Sequence, residues 1–254
     1  MPAATGASGP PQRISVIAWP LIAARIALMA VLLVLCLPFY YLWRLLGLSR
    51  RWPRVFLAGV GLIAGLRLTI RGEPRPGALL IANHVSWLDI PALARATGTA
   101  FVGHSGLAEI ALVRHLCAMN DTVFVARHDR ASVAGQVEQV RAAIAGTGAL
   151  TIFPEGTTSD GAALLPFKSS LLAAAEALPR GVAVQPVLLA YADAPEIAWV
   201  GAEHGVANFL RILARVRPVR LTLHFFPPLE GAALADRKTI AAAAERAIAE
   251  ALRR

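Results

Sequence analysis

From about residue 66 onward, short apolar runs alternate with longer amphipathic stretches. The runs "ALLIAN" (78–83), "TAFVGH" (99–104), "TVFVAR" (122–127), "ALTIFPEG" (149–156), "VAVQPVLLAY" (182–191) and "VRLTLHFF" (219–226) are rich in β-branched and aromatic residues and read as strands. The segment "SVAGQVEQVRAAIAG" (132–146) and the Ala-rich tail "RKTIAAAAERAIAEALRR" (237–254) read as amphipathic helices. Strand–helix alternation of this kind predicts an α/β fold: a mostly parallel sheet flanked by helices. Ligands of such sheets bind at the carboxyl ends of strands. That rule gathers Asn83-His84, Arg127 and Glu155-Gly156 at one edge, because each directly follows an apolar run.

The chain before residue 66 has another character. Residues 1–12 are small and Pro-rich and are expected to be disordered. Within 13–65, the segment "ISVIAWPLIAARIALMAVLLVLCLPFYYLW" (14–43) has the length of a bilayer span, interrupted by Arg25 and bent by Pro20 and Pro38. Phe39, Tyr40, Tyr41 and Trp43 gather at its end like an interfacial belt, and Arg44, Arg50, Arg51 and Arg54 follow at once. That charge bias puts the downstream side, residues 66–254, on the cytoplasmic face of the inner membrane. The segment either spans the bilayer or lies in one leaflet as a pair of in-plane helices.

Composition sharpens this picture. Hydrophobic residues make up 56% of the 254 residues, and the mean hydropathy is +0.57. Formal net charge is +9. A basic chain favours anionic partners, and the hydrophobicity selects lipid over nucleic acid. The arginines are scattered and carry no interleaved aromatic platforms, so no nucleic acid partner is expected. Cys36 and Cys117 lie far apart in apolar sequence and read as reduced thiols.

Chemistry enters at "LLIANHVSWLDIPAL" (79–93), where an apolar run stops at Asn83-His84 and Asp89 follows five residues after the His. A neutral imidazole accepts a proton near pH 7, and a carboxylate on its far nitrogen fixes the tautomer. With Asp89 in the first turn of a helix "DIPALARA", the two side chains can meet; Pro91 suits that early position. The same spacing also fits a structural turn in which Asp89 serves as an N-cap. No G-x-S-x-G nucleophile elbow is present, and Ser86 reads as a loop hydrogen-bonder. His115, His128, His204 and His224 stand at no metal-ligand spacing, so no metal is expected.

The blocks "NHVSWLD", "VFVAR", "FPEGTTSDG" and "VAVQPVLLAY" (with Pro186), in this order, resemble those of the bacterial lysophosphatidic acid acyltransferases and related glycerolipid acyltransferases. The likeness covers roughly residues 66 to 230. It implies acyl transfer from acyl-CoA or acyl-carrier protein to a lysolipid hydroxyl, with no bound cofactor. His84 would be the general base and Asp89 its orienting carboxylate. Asn83, Arg127, Glu155, Gly156, Thr157 and Lys168 would bind substrate, with Arg127 and Lys168 on the head group. Glu155 would hydrogen-bond a substrate hydroxyl or pin its loop.

Two departures bear on the acceptor. Thr158 stands where the family usually has Arg, and His104 where it usually has Lys. Loss of two cations weakens a phosphate site, because charge-assisted contacts are the strong ones. The expected acceptor is 1-acyl-sn-glycerol-3-phosphate, giving phosphatidic acid. Lyso-ornithine lipid is the alternative, because "EGTTSDG…LPFKSSLL" and "VQPVLLAY" look closer to that branch. A reading of another class is a lipid-binding protein that kept the fold and lost the chemistry; the intact His84–Asp89 and Glu155-Gly156 pairs oppose it.

Overall fold

The structure, a computed structural model, describes residues 14–47, 51–104, 111–120, 122–125, 148–172, 178, 181–201 and 203–253. A single 3-10 turn leads into helix α1 (Trp19–Leu45), and α2 (Arg51–Ile63) follows. Pro20 sits in the first turn of α1, where an amide donor is not needed, and the helix continues through Pro38. Next come β1 (Leu66–Arg71), β2 (Ala78–Ala82), α3 (Asp89–Thr97), β3 (Ala100–His104), α4 (Ala111–Met119), β4 (Val123–Val125) and β5 (Ala149–Ile152). The chain closes with β6 (Val184–Tyr191), α5 (Ala194–Ile197), α6 (Gly205–Leu213), β7 (Val219–Phe225) and α7 (Arg237–Leu252).

Among the described residues, seven strands form one sheet in the order β1-β7-β6-β2-β5-β3-β4. Every neighbouring pair is parallel except β6 and β7. The mostly parallel α/β sheet read from the sequence is therefore present. All six predicted strands form. The helix expected over 132–146, the disorder expected for 1–12 and Arg127 lie outside the described residues. The edge strand β1 escapes the pattern, because only its Leu66 is fully buried while Arg67, Thr69, Ile70 and Arg71 are exposed.

Alternation along β2 explains the layers. Leu80 and Ala82 join a core with Ile22 of α1, Leu93 of α3, and Ile212 and Leu213 of α6. Leu79 and Ile81 join a second core with Ile240, Ala244 and Ile248 of α7. A central strand covered on both faces reads as an unbroken apolar run, as β2 does.

Although α1 is apolar all round, it is used unevenly. Ile22 and Cys36 are buried, while Leu28, Val31, Leu35 and Leu42, spaced along another face, are exposed. Gly59 of α2 lets the helices approach, since a Cβ there would meet the Leu32 side chain at 2.5 Å. Phe39 and Trp43 pack on Trp52 of α2 rather than standing free. Val16–Leu45 is long and apolar enough to cross a membrane. Arg25, the charge inside it, is turned inward and donates from Nη1 to the carbonyls of Leu213 and Arg215, each at 2.9 Å. A cation on the carbonyls that end a helix is favourably placed.

Candidate active site

The site forms where β2 and β5 end side by side. β2 delivers Asn83-His84, and β5 delivers Phe153 through Gly156. Asn83 is buried and makes a two-way tie to β6: its Oδ1 accepts from the Leu189 amide (2.7 Å) and its Nδ2 donates to the Leu189 carbonyl (3.2 Å). That pairing continues the sheet one residue beyond β2 and fixes where the next residue points. The amide of Asn83 is thus committed to the strand end.

His84 Nδ1 lies 2.7 Å from Asp89 Oδ2. The same oxygen accepts the amides of Val85 (2.7 Å) and Ser86 (3.0 Å), so the carboxylate closes the loop it belongs to. Asp89 is the first residue of α3 and has no solvent exposure, whereas the His84 side chain retains 21%. The His84 contact that the general-base reading requires is thus present beside loop-closing hydrogen bonds, whereas Asp89 is not the N-cap: Leu88 holds that position, and no side chain caps the helix. One face of the imidazole stacks on Phe153, with ring centroids 4.2 Å apart and planes 17° from parallel. The His84 carbonyl accepts from Ser159 N (2.7 Å) and Ser159 Oγ (3.1 Å), which ties the second loop to the first. With Nδ1 spent on Asp89, Nε2 is the ring nitrogen left for a substrate.

Glu155 is fully buried and meets main chain at both oxygens. Oε1 accepts from the His84 amide at 2.8 Å and Oε2 from the Leu165 amide at 3.0 Å. Burial pushes its carboxyl above the ordinary glutamate range, and those two amides pull it part of the way back. Gly156 adopts φ +71°, the left-handed region that glycine enters without strain. A Cβ there would stand 3.1 Å from Lys168 Nζ, so the exposed Lys168 ammonium lies directly beside this glycine. Thr157 is exposed next to it. Thr158 gives its hydroxyl hydrogen to the Trp199 carbonyl and holds that loop. His104 ends β3. Among the described residues no group of three or more His, Cys, Asp and Glu could hold a metal ion.

Sequence reasoning missed Tyr191. The last residue of β6, it is buried, and its hydroxyl donates to Asp89 Oδ1 at 2.5 Å. Asp89 and Tyr191 are 102 residues apart, so no spacing rule could pair them. Phe153 lies inside the quoted "FPEGT" block, but its place beneath the imidazole depends on the β2–β5 register.

A chain with this geometry has relatives. The Acyltransferase family model matches residues 67–190. A lyso-ornithine lipid O-acyltransferase of Brucella abortus is 31% identical, over 88% of this chain and 90% of that protein. A 1-acyl-sn-glycerol-3-phosphate acyltransferase of Neisseria gonorrhoeae is 32% identical, over 55% of this chain and 56% of that protein. Among solved structures, the 1-acyl-sn-glycerophosphate acyltransferase of Thermotoga maritima superposes with a TM-score of 0.68, covering 93% of this chain and 95% of that one. At 19% identity that likeness speaks for the fold. The near-complete match to the Brucella protein, together with the family model across β1 to β6, establishes that this chain belongs to the acyltransferase family.

Proposed function

We propose that this acyltransferase moves a fatty acyl group from a thioester to the hydroxyl of a lysolipid, with His84 as general base. The observation that carries the reading is the 2.7 Å contact of His84 Nδ1 with the buried Asp89. Nε2 takes the acceptor's hydroxyl proton as that oxygen attacks the thioester carbonyl. The tetrahedral intermediate collapses, the carbon–sulfur bond breaks, and the leaving thiolate regains the proton from the imidazolium. Asp89 holds the tautomer and stabilises the imidazolium. A thioester is already activated, so no acyl-enzyme is required. Acyl-CoA and acyl-carrier protein are both donors that this chemistry accepts.

Lyso-ornithine lipid is the acceptor we favour. It is the acceptor in the name of the relative matched over most of its length, and Thr158 and His104 replace two cations a phosphate would use. Lysophosphatidic acid is the second reading, supported by Lys168 Nζ beside Gly156 and by Arg127 in its block. Asn83, Glu155 and Thr158 shape the substrate loops through the main chain, while Gly156, Thr157 and Lys168 stand where an acceptor would lie. Residues 13–65 attach residues 66–254 to the cytoplasmic side of the inner membrane. Arg25 binds α1 to α6, which favours α1 lying in one leaflet with its Leu28–Leu42 face in lipid. The test is purified protein in detergent with labelled acyl-CoA or acyl-carrier protein and a panel of lysolipids. Acylated lyso-ornithine lipid as the main product is expected. Product from lysophosphatidic acid alone selects the second reading, and hydrolysis without transfer removes both.

A further inference from the structure

We infer that Tyr191 is a positioning residue of the acyl-transfer site: its hydroxyl, fixed on Oδ1 of Asp89, sets how strongly that carboxylate holds the Nδ1 proton of His84. The inference rests on the reading of His84 as general base and extends it by one residue. Asp89 Oδ2 is already shared among His84 Nδ1 and the amides of Val85 and Ser86. Oδ1 has the Tyr191 hydroxyl at 2.5 Å, and the Asp89 side chain is wholly excluded from solvent. Water therefore does not compete for that oxygen, and a hydrogen bond in such surroundings acts at full electrostatic strength.

Burial and then the Asp89 charge hold the Tyr191 hydroxyl protonated far above its ordinary range, so it remains a donor throughout the working pH range. A donor on Oδ1 withdraws charge from the carboxylate and weakens its pull on the imidazole proton. Tyr191 is carried by β6, which also binds Asn83 through Leu189. One strand thus positions both ends of the His84–Asp89 unit. Glu155, the other titratable group against His84 among the described residues, meets its main-chain amide from the β5 side and is common to every variant below. Lys168 stands farther out, beside Gly156.

The experiment is the pH dependence of kcat/KM for the lysolipid acceptor in the full-length enzyme. Tyr191→Phe deletes the donor and leaves Oδ1 to Asp89 alone. Turnover should fall about tenfold, short of the ~10²-fold that misplacing a catalytic group can cost. KM for donor and acceptor should stay within about twofold, because Tyr191 touches neither substrate. The acid limb should move to higher pH, because a more basic carboxylate retains the imidazolium. Replacing Tyr191 by 3-fluorotyrosine, a stronger donor of nearly the same shape, should move that limb to lower pH. An unmoved limb in either variant overturns the inference, even if turnover drops, since a purely structural role lowers activity at all pH values. If Tyr191→Phe does not fold, the fluorotyrosine enzyme decides alone. His84→Gln is run in parallel: full activity there removes the general-base reading itself, whereas an inactive His84→Gln with unmoved limbs removes only the role of Tyr191.

Discussion

Arg25 and Leu213 are 188 residues apart in sequence, and the guanidinium of one donates to the carbonyl of the other at 2.9 Å. The charge that interrupts the apolar segment in sequence joins that segment to the end of α6. Arg25→Met should lower stability by about 1–3 kcal/mol, the range for leaving buried carbonyls without their donor. Lipid binding should persist, because the exposed Leu28, Val31, Leu35 and Leu42 are untouched. Thermal unfolding in detergent and flotation with liposomes measure the two effects separately.

Removing the proposed base is the most direct check of the chemistry. His84→Ala should lower turnover by at least ~10²-fold, the lower end of general-base contributions. Asp89→Asn should also be poor, and less well folded. With its oxygen kept toward Val85 and Ser86, the amide nitrogen replaces the acceptor of the Tyr191 hydroxyl, and no charge is left to stabilise the imidazolium. Turnover and circular dichroism of both variants separate the two effects.

Glu155 should reveal itself through pH. Burial raises its carboxyl above the ordinary glutamate value. Its share of stability is therefore fully present below that ordinary value and is lost as pH rises through the raised one. Glu155→Gln cannot ionise, and it can accept only one of the two amides. The variant should be less stable than wild type near pH 4, and the gap should narrow toward pH 8. A gap that widens with pH means the ionised carboxylate is the favoured form and contradicts this assignment. Turnover should fall at all pH values, because the His84 main chain loses its anchor or Leu165 does.

Gly156→Ala should damage the site without unfolding the protein. The φ of +71° disfavours a side chain, and the new methyl would press on Lys168 Nζ and Leu171. A destabilisation of about 1 kcal/mol follows from the backbone alone. The larger effect should be on KM for the acceptor, measured by steady-state kinetics.

Acceptor choice can be read by competition. Lyso-ornithine lipid and lysophosphatidic acid are supplied at equal concentration, first to wild type and then to Thr158→Arg. The substitution breaks the tie to the Trp199 carbonyl and adds a cation. A shift toward lysophosphatidic acid is expected. An unchanged ratio shows that position 158 does not face the head group.

The α/β class, six of the seven described strands and the helix that carries Asp89 were legible in the sequence. Apolar periodicity is local, and a central strand needs both faces apolar wherever its neighbours come from. Composition alone also marked residues 14–43 as a lipid-seeking segment, and block order pointed to the family. His84 and Asp89 were legible for the same reason, because five residues place them in one loop. Contacts across the sheet were decided only by tertiary structure. Asn83 is held by Leu189, Asp89 by Tyr191, and His84 by Phe153 below and Glu155 behind. Each of these pairs depends on β2 lying between β5 and β6, an order that no local pattern encodes. The inward turn of Arg25 is of the same kind: helical spacing says which residues share a face, and packing against α6 decides which face is buried.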